Sequence, residues 1–282
     1  MSRVRAVALG IILAGFSFLS ACGGGSAGDS SSADLPFLHG SGFENSGYDC
    51  TGGGAANVTA GGFWGTSGLG AYAVEFEAYV DEFGAFRIRH LIDGIQYVGT
   101  LTISGNAVSA TFGVFPTLGS TLSDGSNSAT GTLHGTFVPG SSLDITDQIT
   151  TSNGTTSSES IALEFEFLYN CSSSLSIVSG NYYRDFQYSV SSNGSISGQD
   201  PKTGCAMTGT VSIIDQSYNL YSVSYTDSNC PSQSIALNGA QFSGFAYVTP
   251  YYYDVMSGFT SPQALHFLVD AQVGSTIYTE DF

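Results

Sequence analysis

Short runs of alternating apolar and polar residues follow one another along most of the chain, separated by Gly, Ser, Asn and Asp residues. An alternation with a period of two places every second side chain on the same face, which is typical of antiparallel strands joined by tight turns. Asn153–Gly154 is the strongest of these turn signals. In the first half of the chain the pattern predicts eight strands, at residues 62–66, 71–80, 85–90, 96–103, 107–114, 130–138, 143–150 and 160–169.

The same order of motifs returns in the second half of the chain. Residues 97–103 read YVGTLTI and residues 207–213 read MTGTVSI, an offset of 110 positions. Gly244 follows Gly135 by 109 positions. A period of this length is too long for a solenoid repeat or a propeller blade and indicates tandem domains. The sequence therefore predicts an all-β fold with two tandem small antiparallel β-barrels of about eight strands each. A single continuous barrel or sandwich is the alternative.

The N-terminus has a different pattern. Arg3 and Arg5 precede an apolar run at residues 6–19, and small residues follow it up to Cys22. This arrangement is typical of a secretory signal peptide. The run is shorter than the roughly 20 residues that a membrane-spanning helix needs. We therefore expect an exported protein.

The four residues Leu19-Ser20-Ala21-Cys22 resemble the lipobox of bacterial lipoproteins. The resemblance implies cleavage after residue 21 and a lipid anchor of three acyl chains on Cys22. Gly23 stands where an Asp would retain such a protein at the inner membrane, so the resemblance implies an outer-membrane location, on either face. With the doubled β pattern, the chain resembles uncharacterised proteobacterial outer-membrane lipoproteins. The expected organisation is a signal peptide (1–21), a lipidated cysteine with a flexible Gly/Ser tether (22–36), and two β-domains (37–172 and 173–282).

The chain is strongly acidic. Its formal net charge is −17, and it becomes −19 when Arg3 and Arg5 are removed with the signal peptide. Protein–nucleic acid affinity depends on clustered Lys and Arg side chains that neutralise phosphates. The strong bases that remain are few and scattered: Arg87, Arg89, Arg184 and Lys202. We therefore expect no nucleic-acid partner.

Once Cys22 is set aside for lipidation, an even number of cysteines remains. In an exported chain this favours disulfides, and four cysteines allow three connectivities. We predict Cys50–Cys171, because these residues flank the first repeat, and Cys205–Cys230, because these flank a hairpin in the second. The cysteines are scattered and His39, His90, His134 and His266 lack metal-ligand spacing, so we expect no metal site.

Two carboxylate pairs are the best candidates for chemistry. Glu75-Phe76-Glu77 and Glu164-Phe165-Glu166 each place two acids on one face of a strand. Two such pairs would suit a glycosidase-like acid and base or a cation site. The favoured interpretation is simpler: the phenylalanines face a core and the glutamates face water. The sequence contains no Gly-x-Ser-x-Gly nucleophile elbow in a strand–turn–helix context. We therefore predict no catalytic residue.

Tyr251, Tyr252 and Tyr253 lie in a predicted loop, where they form a candidate contact surface for a protein or glycan. The expected function is that of a non-enzymatic envelope lipoprotein with a binding or structural role. The alternative is a lipocalin-like carrier of a small apolar ligand, and a carboxylate-dependent hydrolase is third. Expected partners are the membrane, through the lipid anchor, and a protein, a glycan or a small apolar ligand. No cofactor is expected.

Overall fold

The computed structural model describes residues 59–66, 75–117, 119–182, 187–200, 203–249, 252–254, 259–261, 264–273 and 276–281. The predicted signal peptide and tether lie outside this part of the chain.

The first sheet is built from the strands of the first half of the chain. It contains β1 (Gly62–Gly65), β2 (Phe76–Val80), β3 (Ala85–His90), β4 (Ile95–Thr100), β5 (Thr102–Ser104), β6 (Ala107–Pro116), β7 (Ala129–Val138), β8 (Ser142–Thr151), β9 (Thr156–Ser157) and β10 (Ser160–Phe165). The predicted strand at 96–103 is divided into β4 and β5. The division falls at Leu101, whose amide donates to the Gly84 carbonyl of the β2–β3 turn at 2.8 Å.

Eight of these strands close into a barrel, because β10 pairs with both β1 and β8. Trp64 of β1 lies opposite Phe165 of β10, and Ile161 of β10 lies opposite Ile145 of β8. The short strands β5 and β9 are not part of the ring; β5 pairs with β6, and β9 pairs with β8. Closure removes the free strand edges that favour aggregation. This half of the prediction is confirmed.

The second sheet is a curled half-barrel rather than a closed ring. Its strands are β11 (Gly180–Tyr182), β12 (Gln187–Val190), β13 (Ser195–Gln199), β14 (Ala206–Ile213), β15 (Tyr221–Ser228), β16 (Gln241–Thr249), β19 (Ala264–Val273) and β20 (Thr276–Asp281). Between β16 and β19, a separate hairpin is formed by β17 (Tyr252–Asp254) and β18 (Phe259–Ser261). The edge strand β20 lies close to β6 of the barrel without pairing with it. The all-β fold with two barrel-like units is confirmed.

Apolar side chains from alternate positions fill the inside of each unit. In the barrel, the rings of Phe86 and Phe112 lie directly over the inward faces of Gly99 and Gly131. A Cβ atom on Gly131 would lie 2.4 Å from the Phe112 ring. An eight-stranded barrel is just wide enough for side chains to fill it. These bulky residues therefore occupy the volume that a ligand in the barrel lumen would need.

Gly135 and Gly244, the two glycines matched between the repeats, have the same structural role. Each lies on the inward face of its sheet and meets the backbone of the next strand. A Cβ on Gly135 would lie 2.0 Å from the Asp144 carbonyl oxygen, and one on Gly244 would lie 2.0 Å from that of Leu268. The sheets coil so tightly at these points that only a glycine fits.

The two sheets belong to one compact unit and pack against each other through a cluster of aromatic and leucine side chains. We call it the junction cluster, and its buried members are Phe63, Tyr79, Tyr169, Tyr218, Leu220, Phe245 and Leu268. Phe63 makes edge-to-face contacts with Tyr79 and Tyr169, each at 5.2 Å between ring centroids. The half-buried ion pair between Arg87 of β3 and Asp270 of β19 lies beside this cluster. The structure thus joins the two repeats through an apolar interface.

Candidate functional site

The two predicted carboxylate pairs converge on the outer face of the barrel. Glu77 of β2 and Glu164 of β10 both lie opposite Gly65 of β1, from the two sides. Phe76 and Ala78, the neighbours of Glu77, point into the barrel core, so Glu77 points outward. The closure of the ring is therefore what brings together acids that are nearly ninety positions apart.

Gly65 has no side chain on this outer face, and a cleft of about 210 Å³ lies beside it. The carboxylate of Glu166 reaches into the space that a side chain would take, since a Cβ on Gly65 would lie 2.9 Å from Glu166 Oε1. The walls come from both sheets. We call this space the junction cleft, and its lining residues are Phe63, Trp64, Gly65, Glu77, Tyr79, Glu166, Leu168, Tyr247 and Thr249.

A short chain of hydroxyl groups connects the two sheets at one wall of the cleft. The Tyr79 hydroxyl donates to Glu77 Oε2 at 2.8 Å and lies 3.1 Å from the Tyr247 hydroxyl. Because Tyr79 has one hydroxyl proton, Tyr247 donates to Tyr79 in turn. Burial, followed by the neighbouring Tyr247 and Glu77, raises the pKa of Tyr79 well above its ordinary value. Tyr79 therefore remains a neutral donor at physiological pH.

Glu166 differs from Glu77 in its surroundings. Arg89 Nη1 lies 3.9 Å from Glu77 Oε2. Glu166 has no ion-pair partner among the residues described. Burial, and then the negative charges of Glu77 and Glu164, raise the pKa of Glu166. The cleft thus holds one carboxylate beside a base and one whose charge is left unbalanced.

The other members of the two pairs lie outside the cleft. Glu75 is exposed and its Oε1 lies 3.4 Å from His90 Nε2, while Glu164 points to solvent. Phe76 is buried in the barrel, as expected. Glu77 and Glu166 lie on the outer face but are half-buried rather than fully exposed, because the second sheet covers part of this barrel surface.

Several predicted site residues lie outside the described part of the chain. These are Cys22, Cys50, Tyr251 and His39. Tyr252 and Tyr253 belong to strand β17 and not to a loop, because residues 252–254 pair with β18. Their role as a contact surface stays a prediction. His134 is exposed on β7, and His266 Nε2 lies 3.0 Å from Thr249 Oγ1.

The cysteines of the second repeat form the predicted Cys205–Cys230 disulfide. They flank the β14–β15 hairpin, where Ala206 lies opposite Ser228. Cys171 is fully buried and disulfide-bonded, but Cys50 lies outside the described residues, so the Cys50–Cys171 pair stays a prediction.

Asp227 lies beside this disulfide, and Cys205, Asp227 and Cys230 are close enough together to suggest a metal site. The sulfur atoms are bonded to each other, however, and a metal ligand must be a free thiolate. Asp227 is fully buried, and Thr203 Oγ1 donates to its Oδ2 at 3.2 Å. Burial, and then the charge of Asp200, raise the pKa of Asp227 to about 7. The cluster is therefore a pH-sensitive buried acid next to a cross-link.

The Asp227→Asn substitution is expected to change how stability depends on pH. Between about pH 4 and pH 7 the folded protein keeps a proton on Asp227 that the unfolded chain has lost, so the free energy of unfolding falls as pH rises. Asparagine has no such proton to lose, so the variant keeps its stability over this range. In urea denaturation, the free energy of unfolding of the variant minus that of the wild type should be about 2–3 kcal/mol larger at pH 8 than at pH 5. The Asp144→Asn control, on the exposed face of β8, should show no such difference.

The described residues contain no helix that is both long and apolar enough to cross a membrane.

Sequence reasoning missed Tyr79, Tyr247 and Thr249, which complete the cleft. Nothing local in the sequence links Tyr79 to Tyr247, because they are 168 positions apart. The one available signal was Gly65, a glycine within a strand, which often marks a close approach or an open surface. No family model, no curated protein and no solved structure matches this chain.

Proposed function

We propose that this protein is a non-enzymatic lipoprotein of the bacterial outer membrane that binds a ligand at the junction cleft. Cys22 would carry the anchor and the Gly/Ser segment would serve as the tether. The observation that supports a binding role best is the half-open cleft of about 210 Å³, which combines carboxylates with aromatic walls. Ligand sites are typically concave, mostly apolar and equipped with a few polar groups.

The packed barrel lumen gives the carrier alternative less support. A lipocalin-like protein holds its ligand inside the barrel. Here the rings of Phe86 and Phe112 lie against Gly99 and Gly131, in the volume that such a ligand would need. A surface cleft between the two sheets is the better candidate site.

A carboxylate-dependent hydrolase is the second candidate, because Glu77 and Glu166 share one cleft and the pKa of Glu166 is raised. The full chain should be assayed against a panel of glycans and esters. Turnover by the wild type that is lost in both Glu77→Gln and Glu166→Gln would replace the binding proposal with this one. Glu75→Gln is the matched control, because Glu75 pairs with His90 outside the cleft.

The anchor is tested by expressing the full chain in a Gram-negative bacterium that is fed an alkyne-tagged fatty acid. We expect the wild type to carry the tag and to fractionate with the outer membrane. Cys22→Ala should carry no tag and should be lost from that fraction, because its thiol is the acylation site. Ser26→Ala, in the tether, should behave as the wild type. A tag that persists in Cys22→Ala, or no tag on the wild type, would disprove the lipoprotein assignment.

A further inference from the structure

The junction cleft carries an excess negative charge that its own residues do not neutralise. Arg89 lies near Glu77, whereas Glu166 has no cationic partner within the described part of the chain. Burial and the charges of Glu77 and Glu164 both disfavour the ionised form of Glu166, which raises its pKa. A cation in the cleft would remove the repulsion and supply the missing partner. Charge complementarity therefore points to a cationic ligand.

The walls of the cleft are aromatic, which restricts the kind of cation. The rings of Tyr79 and Tyr247 stack at 4.9 Å between centroids, and Phe63 meets Tyr247 edge to face at 5.3 Å. Phe63 and Tyr79 are 4% exposed, and Tyr247 also stacks on His266 at 4.7 Å, so the rings serve as an apolar wall rather than as free faces for the charge. Such a wall removes the alkyl part of a ligand from water. A carboxylate beside aromatic rings is the combination that recognises an ammonium group on a short hydrocarbon.

A metal ion fits the cleft less well. Ca²⁺ takes six to eight oxygen ligands, and Mg²⁺ requires a near-octahedral set. The lining offers the carboxylates of Glu77 and Glu166 and the hydroxyls of Tyr79, Tyr247 and Thr249, and one Glu77 oxygen already accepts from Tyr79. The rest of the wall is made of Leu168 and aromatic rings. An apolar wall stabilises an alkylammonium ion and gives a hydrated metal ion nothing to coordinate.

The cleft is small. Its volume of about 210 Å³ lies below the roughly 300–1,000 Å³ of typical ligand sites, which favours a small ligand such as a primary amine with a short alkyl chain. A primary ammonium also has three N–H donors, which match the carboxylate and hydroxyl oxygens of the lining.

We propose that the junction cleft binds a small free alkylamine in its ammonium form, with Glu166 as the counter-ion and the aromatic rings around its hydrocarbon part. This inference deepens the binding role proposed above and depends on one part of it, namely that the junction cleft is a binding site. It does not depend on the lipid anchor.

The test uses the full chain, purified in a non-ionic detergent, and n-butylammonium as the probe. Binding is measured by isothermal titration calorimetry, because the indole of Trp64, the single tryptophan of the sequence, is buried in the barrel core and does not report on the cleft. We expect a saturable heat of binding. The neutral analogue 1-butanol has the same length and no charge, and it should bind at least about tenfold more weakly. Equal binding of 1-butanol, or no saturable binding of n-butylammonium, would overturn the proposal.

Three variants locate the site. Glu166→Gln keeps the shape of the side chain and removes its charge, and it should weaken binding by about tenfold or more. Gly65→Val should abolish binding because its side chain fills the floor of the cleft. The backbone there tolerates a side chain, since the atom it meets is the end of the flexible Glu166. Glu159→Gln, at an exposed position outside the lining, is the matched control and should bind within about twofold of the wild type.

Other outcomes have clear meanings. If Glu159→Gln weakens binding as much as Glu166→Gln, the effect is one of overall charge and the site is refuted. Calcium binding that displaces n-butylammonium and is lost in Glu166→Gln would make the cleft a metal site instead. Fatty-acid labelling of Cys22 does not depend on binding at the cleft. A failure of the ammonium site can therefore be distinguished from a failure of the lipoprotein proposal.

Discussion

Replacing Arg87 with methionine is expected to lower the free energy of unfolding by about 3 kcal/mol, the lower end of the range for a buried pair, because it leaves the half-buried Asp270 without its charge partner. Arg87 also donates from Nη2 to the Ser243 carbonyl at 3.2 Å, and its guanidinium lies 5.6 Å from the centre of the Phe245 ring. All three contacts cross from the barrel to the second sheet. The loss should therefore appear in urea denaturation as a lower midpoint.

The double variant Arg87→Met/Asp270→Leu is the control. Burial lowers the pKa of Arg87 and raises that of Asp270, and in each case this effect outweighs the attraction of the partner. Desolvation thus costs each ion more than the pair returns. Apolar residues at both positions should restore stability to within about 1 kcal/mol of the wild type. A double variant as unstable as Arg87→Met would show that the contacts with Ser243 and Phe245 matter more than the charge on Asp270.

Removing the Cys205–Cys230 disulfide is expected to cost about 3.5 kcal/mol of unfolding free energy. The cross-link closes a loop with a sequence separation of 25, and its main effect is to restrict the unfolded chain. The double substitution Cys205→Ala/Cys230→Ala should be measured by urea denaturation. A reducing agent is not equivalent, because Cys171 is also disulfide-bonded.

The single substitution Cys230→Ala provides the comparison for this experiment. It breaks the same cross-link and leaves the Cys205 thiol beside Asp227, so its loss of stability should be close to that of the double variant. A loss below about 1 kcal/mol in the double variant would mean that the β14–β15 hairpin already holds the two ends together in the unfolded chain.

The junction cleft shows how the fold gives chemical meaning to residues that look ordinary in the sequence. Glu77 and Glu166 each come directly after a phenylalanine that was predicted to face the core, and the glutamates themselves were expected to face water. The second sheet covers them, adds Tyr247 and Thr249, and creates a partly enclosed acidic site. As a result, the pKa of Glu166 is raised. Burial is the largest cause, ahead of the negative charges of Glu77 and Glu164.

The amino-acid sequence by itself determined the all-β class, the division into two units and the Cys205–Cys230 pair. These features depend on local information: the period of two decides which side chains are buried, and hairpin pairing brings Cys205 and Cys230 to the same end of β14 and β15.

Only the tertiary structure decided that the first unit closes while the second remains a half-barrel, and that the outer face of the barrel is an interface. These outcomes depend on contacts such as Arg87–Asp270 and Tyr79–Tyr247, whose partners are 183 and 168 positions apart. No local pattern specifies such a contact, because its free energy comes from the burial of apolar surface between two complete sheets.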